Sequence, residues 1–321
     1  MKRLAAHYRL QMLITFALLL LWGVFAVASP TTFGGARIYR SFLSTVPVTL
    51  ILALGMTMVV TLGEMDLCFP SVTAAAAYVF ASLYSGFGVS APVAALVALC
   101  AGALIGWING LLVVVVGIPS IIATIGTQFF WRGLVLLAAD GLAIALPELR
   151  GETLHFLLAG RIGEWGVPAQ ALWAVALALL LAFLLNRRPF GDAILFIGDN
   201  RNTAEMMGIP VGRVRIAVFA LMGLLAAFAG ILATFELNNW WPTQGEGYML
   251  MVFASVFVGG TSAYGGEGTI YGSFIGAIII GIIEAGIVSA GLVGFWTRLV
   301  HGLVILLSVS IYALLARRRA R

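Results

Sequence analysis

Apolar runs of about twenty residues follow one another along nearly the whole chain, separated by short polar stretches. They occupy 10–28, 45–63, 70–86, 91–116, 119–139, 169–185, 214–235, 248–260, 270–292 and 296–315. Most approach the length a helix needs to cross a hydrocarbon core roughly 30 Å thick. Runs 45–63, 70–86 and 119–139 carry polar interruptions, and 248–260, bounded by Tyr248 and Gly259-Gly260, is short for a full crossing. The pattern predicts an all-α polytopic membrane protein of about ten transmembrane helices, some of them broken. Residues 1–321 read as one transmembrane domain, with 186–213 as its long polar loop.

Composition agrees: 62% of the residues are hydrophobic and 10% are charged, against about 25% charged in soluble domains. A water-soluble globule is excluded. Among 18 basic residues Lys2 is the only lysine. A nucleotide-binding P-loop needs a lysine on the phosphates, so any ATP-driven work requires another polypeptide. No Ser, His and Asp residues form a nucleophilic constellation. His7, His155 and His301 match no zinc spacing, and Cys68 and Cys100 read as small apolar residues. Neither a catalytic group nor a metal site is predicted. Lys2, Arg3 and Arg9 before the run Leu10–Ala28 imitate a signal peptide. The run exceeds the usual h-region of about 7–15 residues, so it reads as an uncleaved first span.

Basic residues orient the chain. The N-terminal tail, the loop after the sixth span (Arg187, Arg188, Arg201, Arg213, Arg215) and the tail Arg317, Arg318, Arg319 and Arg321 together hold 12 of the 18. With ten spans these lie on one side, which the positive-inside rule makes cytoplasmic. Arg37, Arg40, Arg150 and Arg161 fall opposite, and Arg132 within a span is expected to snorkel outward. The net charge of +5 is thus topological, the partner it implies is membrane lipid, and nucleic-acid binding is a poor reading.

The 186–213 loop carries the clearest local signal. Asn202-Thr203-Ala204-Glu205 fits an N-cap followed by an acid three residues on. Gly208 suits a left-handed helix end, and Pro210 cannot continue a helix. A short helix over Thr203–Met207 is expected. Met206-Met207 gives it an apolar face suited to a groove on another protein; a plain connector on the membrane surface is the other use. Two Gly/acid breaks, Gly63-Glu64-Met65-Asp66-Leu67 and Gly265-Gly266-Glu267-Gly268-Thr269, look alike. They lie six spans apart and so would run parallel, which is no evidence for an inverted repeat.

Pro189-Phe190-Gly191, Ile197-Gly198-Asp199-Asn200, Ala204 and Gly208-Ile209-Pro210-Val211 resemble the cytoplasmic loop of bacterial ribose-type ABC importer permeases. In the same order Gly63–Leu67 resembles that family's G-G-I-D-L-S, and Asn109-Gly110 with Ile118–Gly126 its N-G…P-S-F-I-A-T-L-G. Pro242-Thr243 to Gly247-Tyr248 resembles P-T-A-G-x-G-Y, and Val258–Ser262 with Gly265–Gly268 the G-G-T-S…G-G-x-G element. The resemblance runs from about residue 40 to the C-terminus. It implies an inner-membrane importer subunit with a 5+5 inverted repeat, paired with a second permease copy or paralogue. It also implies a periplasmic sugar-binding protein and a cytoplasmic ABC ATPase that binds ATP and Mg, so this chain would be no enzyme and would carry no cofactor. The segment Asn200, Arg201, Asn202, Thr203, Ala204, Glu205, Met206, Met207 and Gly208 then matches the helix that docks on the ATPase. Glu64, Cys68-Phe69-Pro70, Asp199 and Asn238-Asn239-Trp240-Trp241 depart from the family pattern, which puts ribose itself in doubt as the solute.

Charged residues within spans should face protein or water. Asp66 reads first as a structural acid, accepting hydrogen bonds from the free N–H groups of the next helix, and second as a solute contact. Glu64 is expected to pair with an arginine or lie at the interface, and Glu284 to pair across a subunit interface. A polyol asks for neutral partners: Asn109, Thr124, Thr127 and Gln128 are placed to line one route, with interhelical hydrogen bonding as the plainer use. Asn238 and Trp240 belong near its outer mouth, where Trp240 with Trp241 would otherwise anchor the aromatic belt. Proton-coupled secondary transport through Glu64, Asp66 or Glu284 is the rival function.

Overall fold

The computed structural model describes residues 2–289, 291 and 294–319, with side chains for residues 11–289, 291 and 295–310. Met1 and the tail's Arg321 lie outside the described residues. Helices occupy each of the ten apolar runs: α1 (Lys2–Ala28), α3 (Ala36–Thr61), α4 (Phe69–Ala81), α5 (Ala91–Leu111), α6 (Ser120–Ala138), α8 (Ala169–Arg187), α11 (Val211–Leu237), α12 (Tyr248–Val258), α13 (Ile270–Ser289) and α14 (Gly294–Arg319). Wider π-type turns extend α4 over Ser82–Gly86 and α5 over Leu112–Val116. Among the described residues seven helices are long and apolar enough to cross a membrane.

Between these lie elements that the apolar runs do not reveal. α2 (Pro30–Phe33) and α7 (Thr153–Ala159) are short, and α9 (Pro189–Asp199) and α10 (Arg201–Met206) fill the polar loop. Strand β1 (Ile144–Ala145) pairs antiparallel with β4 (Asn239–Trp240), Ile144 opposite Trp240. Strands β2 (Arg161–Ile162) and β3 (Val167–Pro168) form a hairpin. The two pairs lie toward one end of the helices; α9 and α10 lie at the other.

α3 and α11 form the centre. From Val48 to Thr61 every residue of α3 is buried. α11 is enclosed by α3, α4 and α5. Between helices in lipid the gain comes from close packing rather than from excluding water, so small residues gather at the contact. Gly102, Gly106 and Gly110 repeat every fourth residue along α5 and face α11. A Cβ at Gly106 would stand 2.2 Å from the Phe219 carbonyl oxygen, and one at Gly223 2.2 Å from that of Gly102. The outward faces of α5, α6 and α14 remain apolar and exposed, including Phe129, Phe130, Leu137, Leu303 and Leu306.

Candidate functional site

α3 ends at Thr61, and α4 does not begin until Phe69. Backbone groups freed by such a break must find other partners, since a lipid core offers none. Here α6 supplies them. The Met65 N–H donates to Ser120 Oγ (3.2 Å) and the Leu67 N–H to Thr124 Oγ1 (3.0 Å). Thr124 in turn donates to the Ser120 carbonyl at 2.7 Å. Asp66 is fully buried, and its Oδ1 accepts the Cys68 N–H at 2.7 Å. The Cys68 thiol lies beside the Asn109 and Thr127 side chains. Asn109 is itself fully buried, and Thr127 donates to the Thr124 carbonyl at 3.3 Å. Gln128 is half-buried, its carbonyl accepting the Ser71 hydroxyl at 2.8 Å. Asn109, Thr124, Thr127 and Gln128 are thus gathered around one break, with Asn109 and Thr124 sealed from any opening.

A second irregular segment follows α11. Asn238 takes a left-handed conformation (φ 49°) that ends the helix. Trp240 then turns inward: it is fully buried, its indole N–H donates to the Ala74 carbonyl (3.0 Å), and its ring lies 4.9 Å from that of Tyr78. That burial removes Trp240 from the aromatic belt. Residues 241–247 run back among the helices, held by Arg132. Its guanidinium donates to the Pro242 carbonyl, to the Gln244 carbonyl (3.1 Å) and to the Pro70 carbonyl (3.0 Å), with Glu246 at 3.8 Å. Arg132 therefore does not snorkel outward; three inward-facing carbonyls offer it better partners than the lipid boundary. The Gln244 amide completes the clamp, donating to the Gly230 carbonyl at 2.9 Å.

At the opposite end, the polar loop folds as two helices. α10 starts two residues earlier than Thr203 because Asn200, not Asn202, caps it: Asn200 Oδ1 accepts the Thr203 N–H at 3.0 Å. Glu205 does not close a capping box; it pairs with Arg201 at 3.3 Å along the helix surface. Gly208 ends the helix with φ 80°, as its sequence position implies. Ala204 packs inward, while Met206 is 89% and Met207 60% exposed. Glu64 forms a largely buried ion pair with Arg215 of α11. Glu284 lines a cavity of about 440 Å³ between α3, α11, α12 and α13, together with Glu236 and Tyr248. Glu236 is tied to Arg161 (2.9 Å) and the Gln170 amide. Among the described residues no group of three His, Cys, Asp or Glu residues could hold a metal ion.

The sequence profile of a family described as "Branched-chain amino acid transport system / permease component" matches residues 38–309. The ribose import permease protein RbsC of Escherichia coli (strain K12) is 34% identical over 299 residues, 92% of this chain and 91% of that protein. The chain belongs to the permease family of ribose-type ABC importers. The permease is also 34% identical to RbsC of Bacillus subtilis (strain 168) over 81% of its own length and 79% of that protein's. It is 32% identical to the autoinducer 2 import system permease protein LsrC of Salmonella choleraesuis (strain SC-B67), over 82% of its length and 74% of that protein's. No solved structure matches it.

Gln244 and Ser120 are not among the candidates that the sequence offers, and Arg215, which it groups with the charges of the polar loop, sits inside α11 with about 6% of its side chain exposed. A signal existed for the Arg132 clamp: an arginine within a span needs carbonyl or acidic partners, and the Pro-Thr-Gln-Gly stretch at 242–245 lies between helices, where backbone carbonyls are free.

Proposed function

We propose that the permease is the membrane subunit of a bacterial ABC importer that moves a monosaccharide or related polyol by alternating access. A separate cytoplasmic ATPase binds ATP and Mg and drives it, and a periplasmic sugar-binding protein delivers the solute. A second permease copy or paralogue covers the apolar outer faces of the helices. The observation that carries this is α10: a six-residue helix that, with the Met207 following it, exposes Met206 and Met207, is held at both ends, and lies on a chain with no lysine for a P-loop of its own. A helix this short is not stable alone, and an exposed methionine pair is an adaptable docking surface. The sugar class is supported by the ribose import relatives. Asn109, Thr124, Thr127, Gln128, Asn238 and Trp240 flank the two breaks, of which Thr127 and Gln128 at the first and Asn238 at the second are half-buried and best placed to meet a solute.

In this reading residues 1–321 form one domain in the inner membrane with ten crossings and both termini cytoplasmic. The packing supports an inverted repeat of α3–α6 and α11–α14. α4 packs on α5 and α6 as α12 packs on α13 and α14; α11 packs on α4 and α5 as α3 packs on α12 and α13. The segment after α3 then corresponds to 238–247 after α11, at the opposite end, and not to the Gly265 loop.

Reconstitution tests the proposal. Liposomes carrying the permease, its cognate ATPase and the binding protein should accumulate one labelled sugar from a panel of pentoses and hexoses only when ATP is supplied. Accumulation by the permease alone, abolished by an uncoupler, would establish proton-coupled transport instead.

A further inference from the structure

The two glycine-and-acid breaks, which look alike but lie about 200 residues apart in sequence, meet at the α9–α10 end. The Gly266 N–H donates to the Thr61 carbonyl at 2.8 Å. Gly198, near the end of α9, sits against both: a Cβ there would stand 1.9 Å from the Thr61 oxygen and 2.5 Å from the Gly266 nitrogen. A Cβ on Gly265 would be 2.8 Å from the Gly63 Cα. Three backbones therefore touch with no side chain between them: the end of α3, the end of α9 and the loop joining α12 to α13.

The other flank of α10 is tied to the same place. α11 begins at Val211, and Arg215 is on its second turn. Its Nε donates to Glu64 Oε1 at 2.8 Å, and a second guanidinium nitrogen reaches the same oxygen. The arginine side chain is 6% and the glutamate 14% exposed, so water and salt screen the pair little. α10 thus hangs between two attachments to one break, a glycine contact through α9 and an ion pair through α11.

We propose that Glu64 and Arg215 are positioning residues for transport, a latch that makes the 62–68 break move with α10. The inference rests on the docking role of α10 given above. A six-residue helix transmits displacement only if both flanks are fixed to the spans. The glycine contact fixes one flank by shape alone, and a contact without side chains slides. The ion pair is directional and fixes the other. Without it a partner ATPase would move α10 while the break lagged, and hydrolysis would run ahead of solute movement.

The test uses the permease with its cognate ATPase and binding protein in liposomes, and whichever sugar the unmodified protein accumulates. Glu64→Gln, Arg215→Gln and the exchanged pair Glu64→Arg/Arg215→Glu are compared by sugar moved per ATP hydrolysed and by melting temperature; Arg215→Lys stands in if a neutral variant does not fold. Each single variant should lower sugar per ATP about tenfold while hydrolysis stays within about twofold, and the exchanged pair should recover a third or more. A ratio within about twofold of the unmodified protein in either single variant, or an exchange no better than the singles, overturns the latch. Lost stability with an unchanged ratio shows the pair to be structural and also overturns it. If the unmodified assembly shows no ATP-driven uptake, the importer reading fails before the latch is reached.

Discussion

Replacing Arg132 by methionine separates two opposing terms. The guanidinium makes three hydrogen bonds to buried carbonyls, those of Pro70, Pro242 and Gln244. Hydrogen bonds to a charged group contribute about 1.5–3 kcal/mol each, which places the gross loss at roughly 5–9 kcal/mol. Against it stands the cost of keeping a cation out of water, several kcal/mol, which methionine removes. The bonds win because the fork meets three acceptors on two separate segments at once, and truncation takes the donor from the Pro242 and Gln244 carbonyls, which lie outside any helix. We expect a net loss of about 3 kcal/mol in Arg132→Met, with a melting temperature in detergent lower by roughly 6–12 °C. Arg132→Lys keeps the charge but not the fork and should fall between. Thermal unfolding of the three proteins, followed by tryptophan fluorescence because Trp240 is fully buried beside the 241–247 segment, reads the order directly. If methionine proves as stable as arginine, or more stable than lysine, desolvation outweighs the hydrogen bonds and the clamp is not what holds the re-entrant segment.

Other outcomes follow from single contacts. Gly106→Ala places a methyl group 2.2 Å from the Phe219 carbonyl; α5 and α11 must separate, at about 1–3 kcal/mol, and the folded yield in detergent should fall, whereas Gly126→Ala, with open space around it, should not change it. Thr124→Val leaves the Leu67 N–H without its acceptor and should cost about 1–3 kcal/mol, while Thr124→Ser keeps most of that stability; equal melting of Val and Ser variants would contradict this. Partial burial beside Phe235 lowers the His155 imidazole below its ordinary value. The unfolded chain then binds a proton more readily than the folded one, so His155 contributes stability that is present above about pH 6.5 and lost on acidification. His155→Asn should flatten that acid-side loss in a melting series from pH 7.5 to about 5, and an unaltered slope would count against it.

The polar loop shows how far local signals reach. Gly208 is read correctly because a left-handed residue is a property of one position. The cap is misassigned by two residues because Asn200 and Asn202 are equally good acceptors in isolation. Only the packing of Ala204 inward fixes which turn comes first. α9 is missed although Pro189 stands at its first position, Asp192 in its first turn and Ile194 and Ile197 on its buried face; eleven residues at a polar, glycine-containing junction resemble a loop until something covers their apolar side.

What the chain determines by itself is the class and the placement of its helices. The transfer of an apolar run into hydrocarbon is a sum over neighbouring residues, so each run can be read where it stands. The missing P-loop lysine is likewise a fact of composition. Tertiary structure alone decides the partners: Glu64 with Arg215, 151 residues apart, Arg132 with three distant carbonyls, Trp240 turned inward, and two glycine breaks brought together around Gly198. Each depends on which backbones approach closely enough to touch. That is set by the packing of α3 and α11 with everything around them, and no stretch of sequence contains both sides of such a contact.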